Sequence, residues 1–181
     1  MTGGIGVAGV AATDMTNKHL VPDRFFFTSG VGRHEAPLVS FGRALRDAGI
    51  EHLNLVTVSS IVPPGCQIIP KDQGVSELDS GEIAFVVLSR NESSDSGRLI
   101  SASIGCAIPR ESYLFGYLAE YHANDCSEED TLSVASGMAE EMYTTLTGDC
   151  EVAVSGIAKD AIAGDGWTTV VCAAVFLLSA D

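Results

Sequence analysis

The sequence has no closely spaced cysteine pair, no apolar run long enough to span a membrane, and few basic residues. Each absence removes a class of protein. The five cysteines, Cys66, Cys106, Cys126, Cys150 and Cys172, are odd in number and widely spread, with no CxxC among them. Neither a disulfide framework nor a zinc site is expected from them. They read as reduced thiols of a cytoplasmic protein. His19, His34, His52 and His122 show no ligand spacing, so no metal is expected. The longest apolar run, Val170 to Leu178, is too short to cross a bilayer. The N-terminal stretch also lacks the basic start of a signal peptide. Lys and Arg number 10 against 24 Asp and Glu, a formal net charge of -14. Such a surface repels nucleic acid phosphates and anionic lipid, and neither is expected as a partner. A halophilic host is compatible with it.

What is present fits one globular domain. The chain has 181 residues, 46% of them hydrophobic and 19% charged. Residues 1–23, rich in Gly, Ala and Thr, read as a mobile N-terminal arm, and residues 24–181 as a single domain. Arg24 to Ser29 reads as a buried strand and Gly30 to His34 as a loop. Gly30-Val31-Gly32 follows a strand without completing a dinucleotide fingerprint. Pro37 opens a helix whose apolar face is Leu38, Phe41, Leu45 and Ala48, with Gly49 as its stop. Strands are expected at His52 to Val58, Cys66 to Ile69, Glu82 to Leu88, Leu99 to Ile108, Leu114 to Tyr121, Glu151 to Ile157 and Thr168 to Leu178. Polar stretches at Lys71 to Ser80 and Ser89 to Gly97 read as loops. A helix from Glu128 to Leu146 begins at a capping box formed by Ser127 and Asp130. Its apolar face is Leu132, Ala135, Ala139, Met142, Tyr143 and Leu146. Gly164-Asp165-Gly166 is a turn before the last strand. Many strands, few helices and no strict alternation indicate a layered α+β fold rather than a doubly wound parallel sheet.

One segment suggests chemistry. In Asn54 to Pro64 a strand delivers Ser59 and Ser60 to a turn held by Pro63 and Pro64. A rigid turn can store strain at one peptide bond and hold a serine hydroxyl against the preceding carbonyl. Those are the requirements of an N-to-O acyl shift. Attack of the Ser60 hydroxyl on the Ser59 carbonyl makes an ester, and β-elimination then breaks the chain. Residue 60 becomes dehydroalanine, and hydrolysis turns it into a pyruvoyl group. Ser-Ser at a strand end is common and does not by itself specify this chemistry.

The context does more. Gly32 to Leu38, Phe41, Ala44-Leu45, Ala48-Gly49-Ile50, Asn54-Leu55 and Ser59-Ser60-Ile61-Val62-Pro63-Pro64 resemble the pyruvoyl-dependent arginine decarboxylase family. The likeness resumes at Ile100 to Ile104, Ala107-Ile108-Pro109 and Gly116 to Tyr121, and covers roughly residues 24–178. It implies an αββα-type sandwich assembled as a homotrimer, with active sites between subunits. It implies cleavage between Ser59 and Ser60, a pyruvoyl cofactor made from Ser60, and conversion of arginine to agmatine and carbon dioxide. Ser60, Asn54 and Glu120 match the family's catalytic positions. Ser60 becomes the pyruvoyl group, Asn54 assists self-cleavage as a donor to the developing oxyanion, and Glu120 protonates the substrate carbon. Ser59 and Ile61 flank the cut as substrate-binding positions.

One position departs from the pattern. The family usually has Asp directly after the helix phenylalanine, where it binds the guanidinium. Here Phe41 is followed by Gly42 and Arg43, and glycine cannot pair with a cation. Glu35, or else Asp47, would have to take over, or the substrate is a different amino acid. An uncleaved paralogue acting as a structural or regulatory partner is the remaining alternative.

Overall fold

The computed structural model describes residues 20–147 and 151–178. Most of the expected N-terminal arm, together with His19 and Cys150, lies outside them. The elements in chain order are β1 (Arg24–His34), α1 (Pro37–Ala48), β2 (Asn54–Thr57), β3 (Ile61–Val62), β4 (Gln67–Ile68) and α2 (Lys71–Ser76). They continue as β5 (Ile83–Ser93), β6 (Leu99–Pro109), β7 (Gly116–Asn124), α3 (Glu128–Thr147), β8 (Val152–Ile162) and β9 (Trp167–Leu177). The strands form two sheets, in the orders β2-β5-β9-β1-β4 and β3-β7-β6-β8. Strand side chains alternate between faces, and here both faces are covered. Phe25, Val87, Val170, Cys172 and Ala174 of the first sheet meet Ile100, Ala102, Ile104 and Leu118 of the second. Their neighbours Phe26, Val86, Val171, Ala173 and Val175 pack beneath Ala44 and Ala48 of α1. On the far side, Ala107 and Ala119 pack against Ala139 and Tyr143 of α3. The layers therefore run helix, sheet, sheet, helix. Burying one large apolar side chain such as Phe25 or Phe26 stabilises the fold by roughly 2–3 kcal/mol.

The expected loop at Gly30 to His34 is instead the second half of β1, paired with β9 through His34 and Trp167. Its glycines face α1. A Cβ on Gly32 would lie 2.0 Å from the Ser40 carbonyl oxygen, and one on Gly30 2.2 Å from that of Ala44. The helix backbone thus rests on the strand backbone, and the buried stripe of α1 is Ser40, Ala44 and Ala48. Phe41 and Leu45 pack partly against this core, while Leu38 is 77% exposed. Gly49 ends the helix with φ of 81°, as expected of a left-handed cap.

Polarity also misled at β5, which runs on through Ser93 rather than ending at Leu88. Ser89 donates to the Tyr121 carbonyl at 2.7 Å and Asn91 to that of Ala123 at 2.7 Å, so these side chains tie the two sheets together. On the other face the Arg90 guanidinium sits 4.0 Å from the Phe41 ring centre. The expected Lys71 to Ser80 loop contains α2, whose Gly74 presses on the Phe26 ring. The capping box of α3 forms: the Asp130 N–H donates to Ser127 Oγ at 3.1 Å and the Ser127 N–H to Asp130 Oδ2 at 3.3 Å. Of its expected apolar face, Ala135, Ala139 and Tyr143 are buried, whereas Met142 and Leu146 are exposed. No helix among the described residues is long and apolar enough to cross a membrane.

Candidate active site

Ser59 and Ser60 lie where the chain passes from one sheet to the other. Strand β2 runs parallel to β5, and the Val58 N–H still donates to the Val86 carbonyl at 3.0 Å. Three residues further on, Ile61 pairs with Tyr117 of β7 in the second sheet. The turn after β3 returns the chain to the first sheet, with a Cys66 N–H to Pro63 carbonyl bond of 3.1 Å and Gly65 at φ of 73°. The prolines therefore hold a strand of only two residues, and the serines occupy the bend before it.

Glu120, on β7 opposite Ile104, faces this bend. The Ser60 hydroxyl donates to Glu120 Oε2 at 3.0 Å across a sequence separation of 60. Both side chains are half-buried. The main chain is fixed on either side: the Leu118 N–H donates to the Ser60 carbonyl at 2.8 Å, and the Ile61 N–H to the Ser59 carbonyl at 3.0 Å. Beside the bend is a cavity of about 340 Å³ lined by Val21, Val58, Ser59, Ile61, Phe85 and Phe176. Sequence reasoning missed Phe85 and Phe176. They become neighbours only through the β5–β9 register, and no local pattern announces that.

The remaining candidates lie elsewhere. The Asn54 side-chain amide donates to the Gly81 carbonyl at 2.7 Å, at the start of β2 and away from the bend. Asp47 accepts from the Val31 N–H at 2.9 Å and so helps to fasten α1 to β1. Glu35 follows the last residue of β1, close to Gly166. Phe25, which pairs with the cavity residue Phe176, lies at the other end of that strand, about 30 Å away. Gly42 is on α1, across the first sheet from the Ser60–Glu120 pair, and a Cβ there would meet nothing within 4 Å. Within the chain, then, Ser59, Ser60, Ile61 and Glu120 come together, and Asn54, Glu35, Asp47 and Gly42 do not join them.

The fold and the bend define an architectural class, a layered α+β sandwich that holds a serine hydroxyl against a carboxylate between two sheets. Within that class the chain belongs to the pyruvoyl-dependent arginine decarboxylase family, whose sequence model matches residues 24–181. It is 51% identical over 162 residues to the pyruvoyl-dependent arginine decarboxylase of Methanocella arvoryzae, covering 88% of this chain and 98% of that one. It is 46% identical over 162 residues to pyruvoyl-dependent arginine decarboxylase 1 of Methanosarcina acetivorans, with the same coverage. The corresponding protein 1 of Archaeoglobus fulgidus is 49% identical over 159 residues, covering 88% of this chain and all of that one. Membership implies a pyruvoyl prosthetic group.

Proposed function

We propose that the chain cuts itself between Ser59 and Ser60, carries a pyruvoyl group at residue 60, and converts arginine to agmatine and carbon dioxide. The observation that carries this is the hydrogen bond from Ser60 to Glu120. It orients the hydroxyl hydrogen toward Glu120 and leaves the oxygen lone pairs for the Ser59 carbonyl. Attack there moves the Ser59 acyl group from nitrogen to oxygen. Loss of the Ser60 α-proton then expels Ser59 as a carboxylate and leaves dehydroalanine at residue 60. Hydrolysis consumes one water, releases ammonia and leaves a keto group.

The surroundings suit that group. The residue 60 carbonyl keeps its donor, the Leu118 N–H, and no side chain need leave the bend. The pyruvoyl ketone supplies an electrophile that holds the substrate amine and takes up the electron pair freed when carbon dioxide departs. Glu120 is the acid in hydrogen-bond reach of residue 60 and returns a proton to the substrate carbon. Ser59 and Ile61, which line the adjoining cavity, border the bound amino acid. Asn54, the first residue of β2, assists self-cleavage. The free thiols Cys66, Cys106, Cys126 and Cys172 support a cytoplasmic location.

A homotrimer with its active sites between protomers fits this reading. The first sheet separates α1, and with it Gly42, from the Ser60 of the same chain, so residues of α1 can reach only the Ser60 of a neighbour. Gly42 itself favours a second reading, a different amino acid as substrate, because it offers no carboxylate to a guanidinium. Intact-mass spectrometry tests the cleavage. The expected species are residues 1–59 and residues 60–181 with a blocked, pyruvoyl start, while Ser60→Ala leaves one whole chain. A wild-type chain that stays whole after long incubation would refute the cleavage. A cleaved protein that releases no agmatine from arginine, but decarboxylates another member of an amino-acid panel, would establish the second reading.

A further inference from the structure

The bend places two main-chain N–H groups on two particular oxygens. The Ile61 N–H donates to the Ser59 carbonyl at 3.0 Å, and the Leu118 N–H to the Ser60 carbonyl at 2.8 Å. The first bond links residues two apart, so Ser60 is the centre of a γ-turn. Ser60 is not among the residues with positive φ, which makes this the inverse form. The Ile61 N–H also stands outside the β3–β7 ladder. Ile61 is directly opposite Tyr117, and the ladder bond beside it runs from Leu118 to Ser60. Nothing in the sheet requires the Ile61 N–H to point back at Ser59.

These are the two oxygens on which charge develops during self-cleavage. When Ser60 Oγ bonds to the Ser59 carbonyl carbon, the carbonyl π-electrons move onto the Ser59 oxygen. When base removes the Ser60 α-proton, the electron pair is shared with the Ser60 carbonyl oxygen before the Cβ–Oγ bond breaks and Ser59 departs as carboxylate. We propose that the two N–H groups divide the stabilisation: that of Ile61 serves the oxyanion of the acyl shift, and that of Leu118 serves the enolate of the elimination. Both distances fall in the range at which preorganised donors act on a developing oxyanion, and both bonds exist in the uncleaved chain. The Asn54 amide donates one N–H to the Gly81 carbonyl at the start of β2, five residues before Ser59, so within one chain the donors already seated at the bend are the two main-chain groups. The inference rests on the reading of Ser59–Ser60 as the cleaved bond.

The test removes one N–H at a time from the full-length protein. At residue 61 this is done by Ile61→Pro and, separately, by replacing isoleucine with its α-hydroxy acid, which swaps the N–H for an ester oxygen. Ile61→Val keeps the N–H and gives the reference rate for an altered side chain at this position. At Leu118 only the hydroxy acid is used, because proline would break β7. Time-resolved intact mass, with and without hydroxylamine to trap the ester at the 59–60 junction, gives the rate of each step. Rates for Ile61→Pro are read against Ile61→Val, and those for the hydroxy acid, which keeps the isoleucine side chain, against wild type. Both N–H deletions at 61 should slow loss of the intact linkage roughly 100-fold with no trapped ester. The 118 variant should accumulate ester, seen as a hydroxylamine-released fragment 60–181 that starts with serine. The hydroxy-acid variant at 61 keeps the test decisive if Ile61→Pro does not fold. Cleavage of both 61 variants at the wild-type rate, or no ester at 118, would overturn the inference alone. A wild-type chain that never cleaves would overturn the functional reading and the inference together.

Discussion

At the scale of single residues, the pairing of Ser60 with Glu120 is what gives the serine turn a chemical meaning. The sequence displays both residues but cannot join them. Their contact depends on β3 finding β7, and that pairing has no local signature. Asn54 shows the opposite case: its amide donates to the Gly81 carbonyl at the start of β2, away from the serines. Glu120→Gln keeps the shape of the site and removes the titratable proton. Self-cleavage should continue, because glutamine still accepts from Ser60, while turnover falls roughly 100-fold or more. Normal turnover in a fully cleaved variant would remove Glu120 from the mechanism. Gly42 is the other informative residue. The open space around it means that an aspartate fits without repacking, so its absence is not a steric requirement of the fold. If arginine is the substrate, Gly42→Asp should lower its Michaelis constant roughly tenfold, the worth of one hydrogen bond to a charged group. Steady-state assays on arginine would show no change if that helix face does not meet the guanidinium.

At the scale of elements, periodicity was reliable where an element buries an ordinary apolar face. It failed where backbone lies on backbone or where polar groups are satisfied across a layer. The strands β6 and β9 are legible for the first reason, and the start of α3 and the stop of α1 through their capping residues. The second half of β1 looks like a loop because Gly30 and Gly32 carry no side chains, yet that is why α1 can sit directly upon it. The polar end of β5 looks like a loop because sequence does not reveal that Ser89 and Asn91 find carbonyl partners in the opposite sheet. Gly32→Ala tests the close approach. Its Cβ would meet the Ser40 oxygen at 2.0 Å and the Ala44 nitrogen at 2.4 Å, both of them backbone. The helix would have to lift, at a cost of about 3 kcal/mol. Gly137→Ala on α3 is the matched control. Nothing lies within 4 Å of its added methyl, so it should raise stability by about 1 kcal/mol through helix propensity. Urea unfolding of the pair would show opposite shifts in midpoint, and equal shifts would contradict the account of β1.

At the scale of the whole molecule, the two-sheet core sets how the protein responds to alkali. Cys106 of β6 and Cys172 of β9 are both fully buried between the sheets. Desolvation pushes each thiol up from 9.0 to about 12. In Cys172 the retained proton is donated to the Ala102 carbonyl at 3.1 Å. In the unfolded chain the same thiols ionise at their ordinary value, near 9.0. Below that value both states hold the proton, and the contribution to stability is fully present. As pH rises further the unfolded chain releases protons that the folded one retains. Stability then falls, until the folded thiols ionise near 12. Within that window each thiol lowers the unfolding free energy by up to about 1.4 kcal/mol per pH unit, so the two together remove roughly 2–3 kcal/mol per unit. Urea midpoints measured from pH 8 to pH 10.5 should therefore drop steeply. A Cys106→Ala, Cys172→Ala double variant should start lower, because it leaves small cavities, and should decline more gently with pH. If both slopes coincide, tyrosines and lysines cause the alkaline loss, and the sealed inter-sheet layer does not hold its thiols protonated in the way that its burial requires.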